Sequence, residues 1–280
     1  MGPRFEGGVG GIVALGRMIE EVRAREGEVI LLDSGDGWHD YYNLGWSFLK
    51  GEPLIRWMNE IGYDAVALGN HDLYNGLERL KVNAELAEFP LLSANIEVLD
   101  PRYKGLFEPF IFKEVGGLDV LLVGLTTTEY FPHQTLLPLL VHDPIKTLKP
   151  VLDEVKGADL IVVVGHISIE KAVEIAQAVP QIDLFFSGHS HIALKEPLVV
   201  GNTYIFQAGK WGRYLGVAEV MVDQEGKIEV TNSLIPVENT PEDLAEVWRI
   251  RANYRDEIFL GWLKALLGLG AVLLPLLIFL

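Results

Sequence analysis

The chain has 280 residues, no cysteine and a formal net charge of −16. Disulfides and thiolate metal ligands are therefore excluded. Binding of a nucleic-acid polymer through its phosphates is excluded too, because that needs clustered Lys and Arg, which the sequence lacks. A hydrophobic share of 49% is ample for a sizeable core, in one large α/β domain or two small ones.

Helix and strand patterns alternate from the start. Residues 11–25 read as a helix with Ile12, Leu15, Ile19 and Val22 on one face, and 28–33 as a strand. A helix over 52–61, a strand over 64–68, a helix over 77–87 and a short strand over 91–94 follow. Strands over 110–115 and 118–125 flank Gly116-Gly117, a hairpin signal. Then come a helix over 144–156, a strand over 160–164, a helix over 169–178 and a strand over 182–186. The pattern next turns all-β, with strands over 198–200, 204–207, 216–222 and 227–234, before a polar helix over 241–255. The strands of the first half are Val/Ile/Leu runs without alternation, as expected when both faces are covered. An alternating half followed by a meander predicts two sheets packed face to face with helices outside.

The C-terminus is different. From Phe259 to Leu280 only Lys264 is charged, which makes a run of about the ~20 residues that a membrane-spanning helix needs. Trp262 stands where an interfacial aromatic would. The expectation is a catalytic domain over 1–238, a polar helix or linker over 239–258, and a transmembrane helix over 259–280 that anchors the protein to a membrane. The bland alternative is a C-terminal helix buried against the domain. Arg249, Arg251, Arg255 and Lys264 precede the apolar run, which by the positive-inside rule puts the domain on the cytoplasmic side.

Four apolar runs end in candidate ligands. EVILLD leads to Asp36 in the tripeptide SGD, and DAVALG leads to Asn70 and His71 in GNHD. DLIVVVG leads to His166, and IDLFFS leads to GHSH with His189 and His191. Rigid strands that aim side chains from one edge of a sheet are how an α/β protein builds a metal site. With no Cys, a metal must be held by His, Asn and carboxylate, the ligand set of Mn, Zn, Fe or Mg. A hydrolytic two-metal site needs one carboxylate to bridge the ions, neutral donors to complete each shell, and a place for water. The His-x-His spacing lets His189 and His191 serve neighbouring ions. His71 is of a different type and is placed to protonate a leaving-group oxygen. Asp33 reads as a structural carboxylate. Trp38, Tyr41, Tyr42 and Trp46 read as helix packing, with a substrate wall as the alternative. His133 and His142 read as ordinary surface or core histidines.

SGD, GNHD, GH and GHSH in this order resemble the calcineurin-like metallophosphoesterases. GGVGGIVAL, YDAVALGNHD and NTYIFQAGKWGRYLG resemble the 5′-nucleotidase branch, so the likeness spans roughly residues 7–236. The resemblance implies a four-layer αββα sandwich of two mixed sheets and a dinuclear site that hydrolyses phosphate esters with a metal-activated hydroxide. It implies that Asp36 bridges two divalent ions, that Asn70, His166 and His189 complete one of them, that His191 binds the other, and that His71 acts on the phosphate or the leaving oxygen. Gly35, Gly69, Gly165 and Gly188 would let the chain turn closely beneath the ions. The substrate implied is a small phosphorylated molecule, with a nucleotide as one option. Substrate-binding residues are not assigned.

The sequence departs from the family pattern in three places. The opening Asp-x-His of the family would lie just upstream of this sequence, and the expectation is a lost N-terminus that carried it, with His39 or Asp40 as weak substitutes. Without it, one ion keeps only Asp36 and His191, so a single ion in this chain is the alternative. The Asp that orients the catalytic His three residues on is here Tyr74. The nucleobase-holding C-terminal domain is replaced by the apolar tail, and the family's nucleotidases are usually exported. The competing reading is a non-catalytic module that binds one metal or none and is tethered to a membrane.

Overall fold

The computed structural model describes residues 10–26, 28–38, 49–129, 136–223 and 226–268. In chain order the elements are α1 (Ile12–Glu26), β1 (Leu32–Asp33), α2 (Glu52–Ile61), β2 (Ala65–Ala67), α3 (Gly76–Leu86), β3 (Leu91–Leu92), β4 (Ile96–Val98), β5 (Phe110–Val115), β6 (Leu118–Thr126), β7 (Leu139–Val141) and α4 (Pro144–Glu154). They continue with β8 (Leu160–His166), α5 (Ile169–Ala178), β9 (Leu184–Ser187), β10 (Leu198–Val200), β11 (Thr203–Phe206), β12 (Tyr214–Val222), β13 (Ile228–Pro236), α6 (Pro241–Asn253) and α7 (Arg255–Gly268).

Two main sheets result. The larger is mixed, in the order β10-β11-β9-β8-β6-β5, with β6, β8, β9 and β11 parallel and the outer strands antiparallel to their neighbours. The smaller, β1-β2-β3, is parallel throughout its described strands rather than mixed as expected. Three apolar layers hold them. Ala65, Ala67 and Leu92 of the small sheet meet Val120, Leu122, Val162, Val164 and Leu184 of the large one. The outer face of the small sheet takes Ile12, Leu15 and Ile19 of α1, Leu54, Ile55 and Met58 of α2, and Leu77 and Leu80 of α3. The outer face of the large sheet takes Leu148 and Leu152 of α4 and Ile169, Ala172 and Ile175 of α5. The order is thus helices, sheet, sheet, helices. Strands buried on both faces explain the unbroken apolar runs in the sequence.

Local chemistry sets the element ends. Gly116 and Gly117 both adopt positive φ (58° and 76°), the two-residue turn whose twist matches antiparallel strands, and β5 and β6 pair through it from Val115 and Leu118 outward. The Ser168 side chain caps α5, and Asp143 caps α4. The expected strand over 28–33 shortens to Leu32–Asp33, because the Leu31 amide donates to Asp64 Oδ2 (2.8 Å). The β4–β7 pair escapes a local reading, since its strands are short and far apart in sequence.

The C-terminal expectation is not supported. Among the described residues no helix is long and apolar enough to cross a membrane. α7 begins at Arg255 with Asp256 and Glu257 in its first turn. The rest of the expected span, 269–280, lies outside the described residues.

α6 is tied back to α1. Thr240 and Asp243 form a reciprocal capping box, and Arg17 donates to the same carboxylate (3.2–3.4 Å). Burial works to raise the Asp243 carboxyl, but the Thr240 amide and Arg17 outweigh it and hold it below the usual carboxylate range. Asp243→Ala is therefore expected to lose ~1 kcal/mol of stability at neutral pH, the worth of a cap. Because a depressed carboxylate stabilises only while ionised, the gap between wild type and variant should close as pH falls below about 4. Urea melts at several pH values check both.

Candidate active site

Each candidate side chain sits at the C-terminal end of a parallel strand. Asp36 follows β1, Asn70 and His71 follow β2, His166 is the last residue of β8, and His189 follows β9. Register puts these ends level, with Thr126 of β6 opposite His166 and Gly165 of β8 opposite Ser187. The two sheets are joined at this edge, where Ser34 Oγ donates to the Phe186 carbonyl (3.2 Å) and the Ser34 carbonyl accepts from His166 Nδ1 (2.9 Å).

That second bond fixes the His166 tautomer. With Nδ1–H committed to a carbonyl, Nε2 faces inward, 2.9 Å from Asp36 Oδ2 and 3.1 Å from His189 Nδ1. Asp36 Oδ1 accepts the His71 amide (2.7 Å), and His71 Nε2 lies 3.7 Å from Asp36 Oδ2. Asn70 and His166 are buried. The His191 ring centroid lies 6.3 Å from that of Trp211. The structure thus links Asp36 to His71 and His166, links His166 to His189, and leaves His191 within electrostatic reach of the same groups.

Charge follows geometry. Burial works to raise the Asp36 carboxyl, but the hydrogen bond and charge of His166 outweigh it and hold the carboxyl down. Burial works to lower His166, yet Asp36 raises it. Burial lowers His71 against the pull of Asp36, and burial with the Lys210 ammonium lowers His191.

Three of the candidate residues, Asp36, His189 and His191, have left-handed backbones (φ 63°, 62° and 60°). Such φ values are uncommon outside glycine and persist where surrounding structure over-determines them, as at functional sites. Asp72 does this for the first loop. Its Oδ2 accepts the amides of Gly69 (2.8 Å) and Asp36 (2.9 Å), and its Oδ1 accepts that of Trp38 (3.2 Å). Asp72 therefore orients backbone rather than the His71 imidazole. Burial and the Asp36 charge push its carboxyl up to about 7, against three amides that favour the ionised form. Gly69 is required by space, because a Cβ there would collide with the Asp36 carboxylate and amide. Gly165 packs against Leu125 and Ile167 instead of the cluster.

Asp33 is structural and accepts the Gly35 amide (2.8 Å). Trp38 is buried in the helix layer, while Tyr41, Tyr42, Trp46, His39 and Asp40 lie outside the described residues. His142 is a surface residue paired with Glu97 (2.8 Å), and His133 lies outside the described residues. Two residues were missed. Glu129 accepts from His189 Nε2 (3.0 Å), and Gln207 is threaded through the GHSH loop. Gln207 lies within NTYIFQAGKWGRYLG, but nothing there sets it apart, and Glu129 sits in no recognisable motif.

A family model for calcineurin-like phosphoesterases matches residues 7–193. The chain belongs to this family. It is 33% identical over 279 residues to 5′-nucleotidase from Bos taurus, covering 88% of this chain and 48% of that protein. It superposes on a 5′-nucleotidase precursor from Thermus thermophilus with a TM-score of 0.77 at 27% identity, covering 90% of this chain and 54% of that one. The sulfate thiohydrolase SoxB of Thermus thermophilus superposes equally well, with a TM-score of 0.77 at 26% identity over 89% of this chain and 48% of that one. The chain spans about half the length of the curated relatives it matches.

The family uses divalent metal ions, and the donors fit them by type: a carboxylate, an amide oxygen and imidazole nitrogens, with no sulfur. Among the described residues, no three His, Asp or Glu side chains surround a common point as ligands of a bound ion do. Asp36 Oδ2 and His166 Nε2 lie 2.9 Å apart. A proton on His166 Nε2 and a divalent ion compete for the same lone pair. The Ser34 carbonyl fixes the proton on Nδ1 and leaves Nε2 facing Asp36, the arrangement that outer partners give to metal-binding histidines.

Asp72→Asn replaces a carboxylate oxygen that accepts amides with a group that only donates. We expect it to lower stability by ~2–3 kcal/mol, the scale of lost hydrogen bonds to a buried charge. A thermal melt of wild type and variant in chelator measures this.

Proposed function

We propose that the domain hydrolyses phosphomonoesters in the manner of a 5′-nucleotidase. Asp36, Asn70, His166 and His189 would hold one divalent ion, and Asp36 and His191 would contribute to a second. The observation that carries the reading is that His166 Nε2, freed by the Nδ1 bond to the Ser34 carbonyl, lies 2.9 Å from Asp36 Oδ2 and 3.1 Å from His189 Nδ1. The likeness to bovine 5′-nucleotidase supports a nucleotide as substrate. Divalent ions at such a site supply Lewis acidity toward a phosphoryl oxygen and toward the attacking water.

The rest falls to the chain. Asp36 keeps its negative charge through His166 and His71. Burial lowers the His71 imidazole against the pull of Asp36, and its Nε2 lies 3.7 Å from Asp36 Oδ2, on the side where it would act on the phosphate or the leaving-group oxygen. Tyr74 is exposed at the position of the family's orienting Asp, and the His71 backbone is tied to the site by its amide bond to Asp36. A second reading, a module that holds one ion and turns nothing over, rests on the His191 side. There Asp36 and His191 are the two candidate ligands among the described residues.

Phosphate release from AMP and p-nitrophenyl phosphate, with manganese and with chelator, separates the two. We expect manganese-dependent release, and a loss of at least ~100-fold in Asn70→Ala and in His189→Ala with the far-ultraviolet circular dichroism unchanged. Wild-type turnover in both variants would contradict the proposed ligand set.

The membrane tether belongs to the same proposal. Its support is the uncharged run 265–280, preceded by exposed Phe259, Leu260 and Trp262 on α7. Liposome flotation tests it. We expect the full chain to float and a chain ending at residue 255 to stay behind, whereas a full chain that stays behind would refute the tether.

A further inference from the structure

The GHSH loop carries two histidines in succession whose backbones are left-handed, His189 (φ 62°) and His191 (φ 60°), separated only by Ser190. A left-handed backbone is disfavoured for any residue with a Cβ, so something must hold each of them. Neither histidine supplies that hold. The His189 ring is used by His166 and Glu129, and the His191 ring faces Trp211.

Gln207, one residue past β11, is buried at 3% exposure and gives its whole amide to this loop. Its Nε2 donates to the Gly188 carbonyl, immediately before His189, and to Ser187 Oγ (2.9 Å). Its Oε1 accepts the Ile192 amide, immediately after His191, and Ser190 Oγ (3.1 Å), between the two. One planar group with two donors and two acceptors thus brackets both histidines and the serine that separates them. Around it the backbone adds its own ties, from the Leu194 amide to the Gln207 carbonyl (2.9 Å) and from the Gly209 amide to the Ile192 carbonyl (3.0 Å). Ser190 Oγ also accepts the Ile169 amide (3.2 Å), and Ser187 Oγ donates to the Ile167 carbonyl (2.6 Å), so the clamp is anchored on α5 and the β8–α5 turn.

The geometry points to Gln207 as the positioning residue of the His189-x-His191 pair: its side-chain amide holds the loop in the conformation that aims both rings, and so sets the metal affinity of the site. This rests on the metal-site reading above. Glutamate at 207 keeps both acceptor contacts and loses both donors. Asparagine keeps the chemistry but is one methylene short. Methionine keeps the volume and loses all four bonds.

Two measurements on the full chain decide it: amide hydrogen exchange over residues 187–193 in chelator, and manganese affinity by calorimetry. In Gln207→Met we expect exchange in that segment to accelerate at least tenfold and manganese affinity to fall about 10–100-fold, the range for loss of an outer-shell partner. Gln207→Glu should fall between wild type and Met, and it keeps the test alive if the Met variant does not fold. The control is Asn59→Ala, which removes an amide that ties α2 to the end of α3 (2.9 Å to both the Leu86 carbonyl and the Glu88 amide) in the outer helix layer. It should lower the melting temperature and leave manganese affinity unchanged. Wild-type affinity in a folded Gln207 variant would overturn the inference, whatever the exchange rates. Equal loss of affinity in Asn59→Ala would reduce Gln207 to a general structural role and overturn it too. A wild-type chain that takes up no manganese would instead fail the site reading, and the inference with it.

Discussion

The hydrogen bond from His166 Nδ1 to the Ser34 carbonyl decides what this edge of the molecule can do. It joins the large sheet, through the last residue of β8, to the loop that leaves the small sheet after β1. Because a carbonyl can only accept, the proton on Nδ1 is fixed, and Nε2 is turned toward Asp36 and His189. A buried imidazole placed otherwise would offer the site a proton where it needs a lone pair. Burying His166 beside a carboxylate favours the ion pair, and the same arrangement makes a strong donor set for a divalent ion.

The remaining positions are held by backbone hydrogen bonding to two buried side chains. Asp72 collects the amides of Gly69, Asp36 and Trp38, so the SGD and GNHD loops share one acceptor. Gln207 does the equivalent for the GHSH loop with a neutral amide. A charged acceptor suits the first place, where three N–H groups converge. A group with both donors and acceptors suits the second, where a carbonyl and an amide must both be met. In each case a left-handed residue that carries a candidate ligand is stabilised by a partner that is not itself a candidate ligand. Rigid strand ends and these two clamps together give side-chain placement that loops alone would not sustain.

Much of this was legible in the sequence, for reasons that can be named. Apolar runs that break at SGD, GNHD, GH and GHSH mark strand ends, so the placement of Asp36, His166 and His189 at one edge of the sheets was legible with no contact known. Helices with one apolar face, such as 52–61 and 169–178, were placed to the residue. The β4–β7 pair was not, because two three-residue strands distant in sequence leave no local signal. The role of Gln207, within NTYIFQAGKWGRYLG, was not legible for a related reason: it lies in four bonds to residues 187–192, which that segment does not announce. His191 was assigned to the same constellation by its spacing. The left-handed turn at each histidine, which sequence spacing cannot foresee, brings the His191 ring beside Trp211 while it still feels the charges of Asp36, His166 and His189.

The central claim is that His166 and His189 present nitrogen lone pairs to a single divalent ion beside Asp36. Pulsed electron paramagnetic resonance of the chain with one equivalent of manganese reads this directly. Couplings from two imidazole nitrogens are expected, with one lost in His166→Ala and one in His189→Ala. A spectrum of manganese surrounded by water oxygens alone, or two-nitrogen couplings that persist in either variant, would contradict it.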